Sequence, residues 1–149
     1  LKSVIEVNEA QRYRFVDRIR RSYVEYRGLT LAILGLSFKP QTDDLRESPA
    51  LDIMRELHRD GMVLRATDPA AMVGATAQFP YATYLADPVA CITDSDGVVL
   101  CTEWPQFQAL DWGALALKVR RPIIFDGRNC LDPSAMRAAG WTYYGVGRP

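Results

Sequence analysis

The sequence predicts an α/β domain of three layers, in which a mostly parallel sheet is covered by helices and preceded by a long helix. Two observations carry this prediction. Short, nearly continuous apolar runs recur along the chain, as is typical of parallel strands buried on both faces. Each run is followed by a turn and then by a segment with helical spacing, and this alternation favours βαβ crossovers over hairpins.

The chain opens with a segment of helical spacing. An apolar stripe runs along residues 4–26, and arginines occupy the other sides of this segment. The stripe consists of Val4, Val7, Phe15, Ile19 and Tyr23. We predict a long amphipathic helix that ends at Arg27-Gly28, because a basic residue followed by glycine is common at helix C-termini. We interpret the arginines as a solvated face. The first residue is Leu1 and helical spacing is already under way there, which suggests a piece of a longer protein.

The first βαβ unit is predicted between residues 30 and 67. A buried strand at 30–34 is followed by a loop, a helix at 49–60 and a second strand at 62–67. Gly61 ends the helix, and Asp68-Pro69 turns the chain after the second strand. A right-handed crossover is expected to join the two strands, which gives the sheet a doubly wound character.

Strands and helices continue to alternate after residue 70. The predicted segments are one short helix with a loop in 70–80, a helix from Asp87-Pro88 to Cys91 or Ile92, a strand at 97–101, one broken or two short helices at 104–110 and 111–119, a strand at 122–125, a helix from Asp132-Pro133 to Ala139 and a strand at 141–146. The predicted architecture is therefore a Rossmann-like three-layer domain with a mostly parallel sheet, preceded by a long N-terminal helix.

Composition and charge narrow the class of protein. The 149 residues are 48% hydrophobic and 24% charged, which is ordinary for one globular domain. Eighteen basic and eighteen acidic residues cancel, so nucleic acid and anionic membranes are not expected partners. No apolar run reaches the roughly 20 residues that cross a bilayer. The three cysteines lack regular spacing, which favours a reducing, cytoplasmic location over a disulfide framework or a zinc site.

The loop after the first strand has the composition of an anion site. Gly35 permits a tight exit from the strand, and Lys39 and Arg46 place two cations in the connection that follows. Ser48 before Pro49 is a good N-cap, so the loop ends at a helix N-terminus whose free amides also favour negative charge.

Polar clusters follow three of the predicted strands, namely Phe38-Lys39 with Arg46, Thr102-Glu103-Trp104, and Asp126-Gly127-Arg128-Asn129. Ligands of open parallel sheets bind beyond the carboxyl ends of the strands, so we expect Lys39 and Arg128 to face one pocket. Two cations and a helix N-terminus suit a diphosphate group, and Phe38 would supply an apolar wall for a base. We interpret Asp43 and Asp44 as holding the loop through local turn bonds.

A self-sufficient dinucleotide site is not predicted, because Gly35 alone remains of the G-x-G-x-x-G fingerprint. Asp68 ends a strand and could imitate a ribose-binding acid, but an Asp-Pro turn explains it more simply. His58 is interpreted as an exposed helix residue. No cysteine has a neighbouring histidine to activate it, so no catalytic nucleophile is predicted.

Several of these segments together resemble one family. Residues 34–39 and 42–49 are similar to the signature of the C-terminal, nucleotide-sugar-binding domain of the UDP-glucose and GDP-mannose dehydrogenases. Thr102-Glu103-Trp104, Asp126-Gly127-Arg128-Asn129 and the closing residues 140–148 resemble the UDP-glucose branch. Val7-Asn8 and Gln11 look like the end of the long central helix of those enzymes.

The resemblance implies a four-electron oxidation of UDP-glucose to UDP-glucuronate, with two NAD molecules and a covalent thiol intermediate. It implies that residues 1–28 end the central connecting and dimerisation helix, and that residues 29–149 form the UDP-binding domain. The NAD domain and the nucleophilic cysteine would lie in N-terminal and central parts that this chain lacks, so the fragment alone would be inactive. A homodimer through the central helix is also implied.

The resemblance further assigns individual residues. Phe38 and Lys39 would contact the UDP-sugar, Arg128 would approach its nucleotide portion, and Arg46 would reach the NAD held by the absent domain. No catalytic role passes to the cysteines. Two alternatives remain open, namely the same domain of a dehydrogenase for another nucleotide sugar, such as a UDP-N-acetyl-hexosamine, and a non-catalytic nucleotide-binding or assembly module.

Overall fold

The computed structural model describes residues 2–147, with side chains from residue 9 onwards. The side chains of Val4, Val7 and Asn8 in the predicted first helix, and Arg148 in the closing motif, lie outside the described residues. Within the described part, no helix is long and apolar enough to cross a membrane.

Residues 2–147 form an alternating series of helices and strands. The helices are α1 (Lys2–Arg21), α2 (Pro49–Arg59), α3 (Met72–Gln78), α4 (Pro88–Ile92), α5 (Pro105–Gln108), α6 (Trp112–Ala116) and α7 (Pro133–Ala138). The strands are β1 (Thr30–Leu34), β2 (Val63–Thr67), β3 (Thr83–Tyr84), β4 (Gly97–Leu100), β5 (Ile123–Asp126) and β6 (Thr142–Gly145).

The strands form one sheet in the order β3-β2-β1-β4-β5-β6, and every described pair is parallel. The order reverses between β1 and β4, whose last residues Leu34 and Leu100 are register partners. This is the doubly wound strand order, and its switch point lies between β1 and β4. The predicted Rossmann-like architecture is confirmed, although the two-residue edge strand β3 was not predicted.

Two apolar cores cover the faces of the sheet. On one face α1 and α2 pack through residues such as Val16, Ile19 and Met54 against Ile33 and Phe125 of the sheet. On the other face the tryptophan side chains Trp104, Trp112 and Trp141 pack around β4 and β5 with α4, α6 and α7. The three predicted layers are therefore present, and α1 is part of one of them.

Helix α1 ends at Arg21, so the predicted extension to residue 26 is wrong. The hydroxyl of Ser22 donates to the carbonyl of Arg18 and closes the last turn. Tyr23 is buried beyond the helix, where its hydroxyl donates to the carbonyl of Asp96. The apolar stripe thus continued in the sequence after the helical backbone had ended.

Four of the described helices, α2, α4, α5 and α7, begin with a proline, and three of these have a side-chain N-cap. Ser48, Asp87 and Asp132 each accept a hydrogen bond from the backbone N–H two residues later, at α2, α4 and α7. Residues 104–119 form two short helices, and residues 70–80 contain one, as predicted.

Candidate functional site

The turn after β1 brings the chain against the end of β4. Gly35 has φ +96, and its N–H donates to the carbonyl of Thr67 on β2. A Cβ atom at this position would lie 2.5 Å from Thr102 Cβ and 2.6 Å from the Thr102 backbone nitrogen. The hydroxyl of Thr102 donates to the carbonyl of Ser37 at 2.7 Å. Glycine is therefore required here because the backbones of Gly35 and Thr102 approach closely at the switch point. A phosphate-binding loop is not needed to explain it.

The amides of this turn already bind a carboxylate of the chain. Asp68 Oδ2 accepts from the N–H groups of Leu36, at 2.7 Å, and Ser37, at 3.2 Å. It also accepts from the indole N–H of Trp104 at 3.2 Å, and Asp68 is only 2% exposed. In dinucleotide-binding domains the corresponding turn offers its amides to a pyrophosphate. Here they are taken, which excludes that use of the turn.

The other carboxylate oxygen of Asp68 forms the predicted turn. Asp68 Oδ1 accepts from the N–H groups of Ala70 and Ala71 at 2.8 and 2.9 Å. The Asp-Pro interpretation is thus confirmed, and a ribose-binding role is excluded by burial. The link from Asp68 to Trp104 was missed, because it joins residues 36 positions apart.

Beyond this network, a cavity of about 410 Å³ opens between α1, the start of α2 and the ends of β4 and β5. Its lining includes Phe38, Cys101, Gly127 and Arg128 from the sheet side, with Gln11, Arg12 and Phe15 from α1 and Glu47, Pro49 and Asp52 from the α2 side. The volume lies in the range of small-molecule sites. Two of the predicted site residues, Phe38 and Arg128, therefore share one cavity.

Arg128 joins two of the predicted polar clusters. Its Nε donates to Glu103 Oε2 at 2.9 Å, and its backbone N–H donates to Asp126 Oδ1 at 3.1 Å. Asp126 is fully buried, and its other oxygen accepts from the Leu131 N–H and the Tyr143 hydroxyl. A buried carboxylate therefore fixes the loop, while the guanidinium stays about one-third exposed at the cavity.

Lys39 and Arg46 are placed differently. Neither lines this cavity in the part of the chain that the structure describes, so Lys39 and Arg128 do not share the pocket as we expected. Both residues are exposed. Arg46 forms a two-bond fork to Asp44, with distances of 3.0 and 2.9 Å. That fork, with the Arg46 backbone N–H, lowers the pKa of Asp44 to about 2, in agreement with a local role for this carboxylate.

The helix α1 contributes a wall that sequence reasoning missed. Gln11, Arg12 and Phe15 line the cavity, and Arg12 forms an ion pair with Asp52 on α2 at 3.5 Å. Gln11 was noted in the family resemblance but was not predicted as a site residue. No local pattern reveals which face of a helix a distant loop will approach.

The cysteines are neutral thiols at physiological pH. Burial raises the pKa of Cys91, Cys101 and Cys130 to about 12 in each case. Cys101 lines the cavity beside Arg128, but a protonated thiol is a poor nucleophile. Cys101 can therefore contact a ligand in the cavity, but its thiol is not suited to form a covalent bond with that ligand.

This is a Rossmann-like, ligand-binding domain. Its strand order is doubly wound, and its cavity lies at the carboxyl edge of the sheet, beside the switch point. Residues 32–133 match the model of the UDP-glucose/GDP-mannose dehydrogenase family, UDP binding domain. The chain belongs to this family, as the sequence motifs indicated.

Individual relatives agree with this assignment. The chain is 37% identical over 150 residues to UDP-glucose 6-dehydrogenase TuaD of Bacillus subtilis, and the match covers 100% of the chain and 32% of the relative. It is 42% identical to UDP-glucose 6-dehydrogenase of Pseudomonas aeruginosa, covering 83% of the chain and 29% of the relative. A UDP-glucose dehydrogenase structure from Pyrobaculum islandicum superposes with a TM-score of 0.84 at 34% identity, covering 99% of this chain and 32% of that one. The chain spans about a third of the length of these relatives.

Proposed function

We propose that this chain is the UDP-sugar-binding domain of an NAD-dependent UDP-glucose 6-dehydrogenase, which oxidises UDP-glucose to UDP-glucuronate with two NAD. The observation that carries the proposal is the cavity shared by Phe38 and Arg128 at the carboxyl edge of the sheet. The NAD domain and the nucleophilic cysteine would come from other parts of the enzyme. The filled turn after β1 and the neutral thiols support this division, because neither provides a second cofactor site or a nucleophile.

Within the proposed site the three substrate-binding residues have separate tasks. Phe38 is 42% exposed and borders the cavity, so its ring can serve as a wall for the ligand. Arg128 carries a fork of donors that suits the diphosphate or ribose oxygens, and Glu103 holds it in place before the ligand arrives. Lys39, next to Phe38 and exposed, would reach the ligand from the rim as a single cation.

Replacing either cation should weaken UDP binding. In calorimetry with the 149-residue chain, we expect Arg128→Ala and Lys39→Ala each to raise the Kd for UDP about 10- to 100-fold, the usual loss for a charge-assisted hydrogen bond. Lys118→Ala is the matched control, since Lys118 is exposed just after α6, on the other face of the sheet, and should leave the Kd unchanged. An unchanged Kd in the Lys39 variant would remove that residue from the site.

Arg46 is proposed to contact the NAD held by the other domain. Its guanidinium side chain is 89% exposed and is paired only with Asp44 among the described residues, so it is accessible to a ligand outside this domain. In the dehydrogenase that carries this chain, Arg46→Ala should raise the KM for NAD more than the KM for the UDP-sugar. Arg59→Ala, at the far end of α2, is the control. An equal rise in both KM values would contradict the assignment.

The proposal places residues 1–28 in a connecting segment that contains α1 and residues 29–149 in the UDP-binding domain, with dimerisation through the region of α1. Tyr13 on α1 is 61% exposed and offers an apolar contact for a second copy.

A cytoplasmic location fits the three free cysteines. Light scattering measures the molar mass of the enzyme and so tests the dimer. Activity measured with a panel of UDP-sugars shows whether the substrate is UDP-glucose or a UDP-N-acetyl-hexosamine. Absence of any dehydrogenase activity in the parent protein would favour a non-catalytic nucleotide-binding module.

A further inference from the structure

We propose that a second groove of this chain, between α1 and the end of β6, binds a small phosphate-bearing anion independently of the UDP site. The groove has a volume of about 440 Å³. Its α1 wall presents Arg14, Arg18 and Arg21, and its opposite wall is formed by Tyr144 and residues 145–147. In α1 these arginines stand at positions i, i+4 and i+7, and so on one side of the helix.

The charges in this groove are not balanced within it. The described residues that line it include three arginines and no carboxylate. Arg21 pairs with Asp17 at 2.8 Å in an exposed pair, whereas Arg14 and Arg18 form no ion pair within the described residues. Two arginines on other sides of α1 do form ion pairs with α2 and its C-cap, because Arg12 pairs with Asp52 and Arg20 with Asp60. The chain as a whole is neutral, so this positive charge is a local arrangement.

Helix stability alone does not account for the three arginines. Like charges at i, i+4 and i, i+3 destabilise a helix. A cation in the last turn is favoured by the helix dipole, which explains Arg18 and Arg21 in the last turn of α1. Arg14 lies two turns before Arg21, where this effect has faded, and it still faces the same groove.

The geometry suits phosphate oxygens. The Arg18 guanidinium lies 4.9 Å from the centre of the Tyr144 ring, and that ring stacks on Phe125 at 5.6 Å with an angle of 17° between the planes. Arg18 is therefore held in place before a ligand binds, which lowers the entropic cost of binding. Guanidinium forks match phosphate geometry. Since the site is a concavity, it favours a compact anion over an extended acidic protein segment.

The groove adjoins the candidate UDP cavity but differs from it in its cations. Gln11, Phe15 and Val146 line both, whereas Arg12 and Arg128 line only the first and Arg14, Arg18 and Arg21 only the second. A diphosphate bound in one would therefore contact different guanidinium groups from a diphosphate bound in the other. This difference makes the two sites separable by mutation.

Inorganic pyrophosphate is the probe for the experiment, titrated calorimetrically into the 149-residue chain with and without saturating UDP. We expect pyrophosphate to bind in both conditions and to bind at least tenfold more weakly to Arg18→Gln and to Arg14→Gln. Lys118→Gln removes one positive charge on the other face of the sheet and should leave this affinity unchanged. Circular dichroism verifies folding, and Arg14→Gln keeps the test valid if Arg18→Gln unfolds, because Arg14 is exposed.

Three results would overturn the proposal. They are pyrophosphate affinity unchanged by both arginine variants, pyrophosphate displaced by UDP and weakened by Arg128→Ala, or binding of an acidic peptide without binding of pyrophosphate. The proposed UDP site fails separately, if Arg128→Ala leaves the Kd for UDP unchanged. The two proposals can therefore succeed or fail independently.

Discussion

Replacing Gly35 with alanine is expected to lower the free energy of unfolding by about 3–5 kcal/mol, through left-handed strain and overpacking together. The backbone at Gly35 has φ +96, a conformation that L residues rarely adopt. The added Cβ would also lie 2.5 Å from Thr102 Cβ, and the Thr102 backbone is fixed by its place after β4. Neither the turn nor the strand end can yield without separating β1 from β4.

Urea unfolding followed by tryptophan fluorescence measures this loss, since Trp104, Trp112 and Trp141 are buried. Gly113→Ala is the matched control. Gly113 lies in α6, where a Cβ would be 3.7 Å from Asp111 Oδ1 and would meet no steric conflict. The control should be neutral or stabilising by about 0.5–1 kcal/mol. A Gly35→Ala chain as stable as the control would contradict the close packing described at the switch point.

Replacing Asp68 with asparagine should lower the free energy of unfolding by about 2–4 kcal/mol, because two buried N–H groups lose their acceptor and each unsatisfied buried group costs about 1–3 kcal/mol. Both carboxylate oxygens accept backbone N–H groups, from Leu36 and Ser37 on one side and from Ala70 and Ala71 on the other. An asparagine side chain has one oxygen only. Its NH₂ group must therefore face buried donors on one of the two sides.

Asp87→Asn is the control, because both residues are aspartates followed by proline. Asp87 is exposed and its side chain accepts one hydrogen bond, from the Val89 N–H at the start of α4. Asparagine is as good an N-cap as aspartate, so we expect a change of less than about 0.5 kcal/mol. Equal losses of free energy of unfolding in the two variants would show that the hydrogen bonds around Asp68 stabilise the fold no more than an exposed helix cap does.

The features of the fold that sequence could predict are those encoded by neighbouring residues. The apolar runs around Ile33 and Val99 mark β1 and β4, and the Ser-Pro and Asp-Pro pairs mark helix starts because the cap and the proline act within one turn. Strand β3 escaped prediction because two residues form a strand only when a neighbouring strand provides partners. The end of α1 escaped it because Tyr23 is buried by a contact with Asp96, 73 positions away.

The same limit applies to the candidate site. Phe38 and Arg128 follow predicted strands, and the carboxyl ends of parallel strands share one edge, so their common cavity could be predicted. The place of Lys39 outside the cavity depends on how the loop folds, with the Phe38 N–H donating to the carbonyl of Asp44. The binding roles of Phe38, Lys39, Arg46 and Arg128 stay predictions.

The buried carboxylate on the turn after β1 also bears on how two similar folds can work in one polypeptide. A dehydrogenase that carries this domain beside a cofactor domain would contain two Rossmann-like sheets, each able in principle to attract a dinucleotide. Asp68 prevents this at the present sheet, since its side chain already accepts the amide hydrogen bonds that a cofactor phosphate would otherwise accept. We expect that engineering a second dinucleotide site here would require removal of the Asp68 side chain as well as addition of glycines.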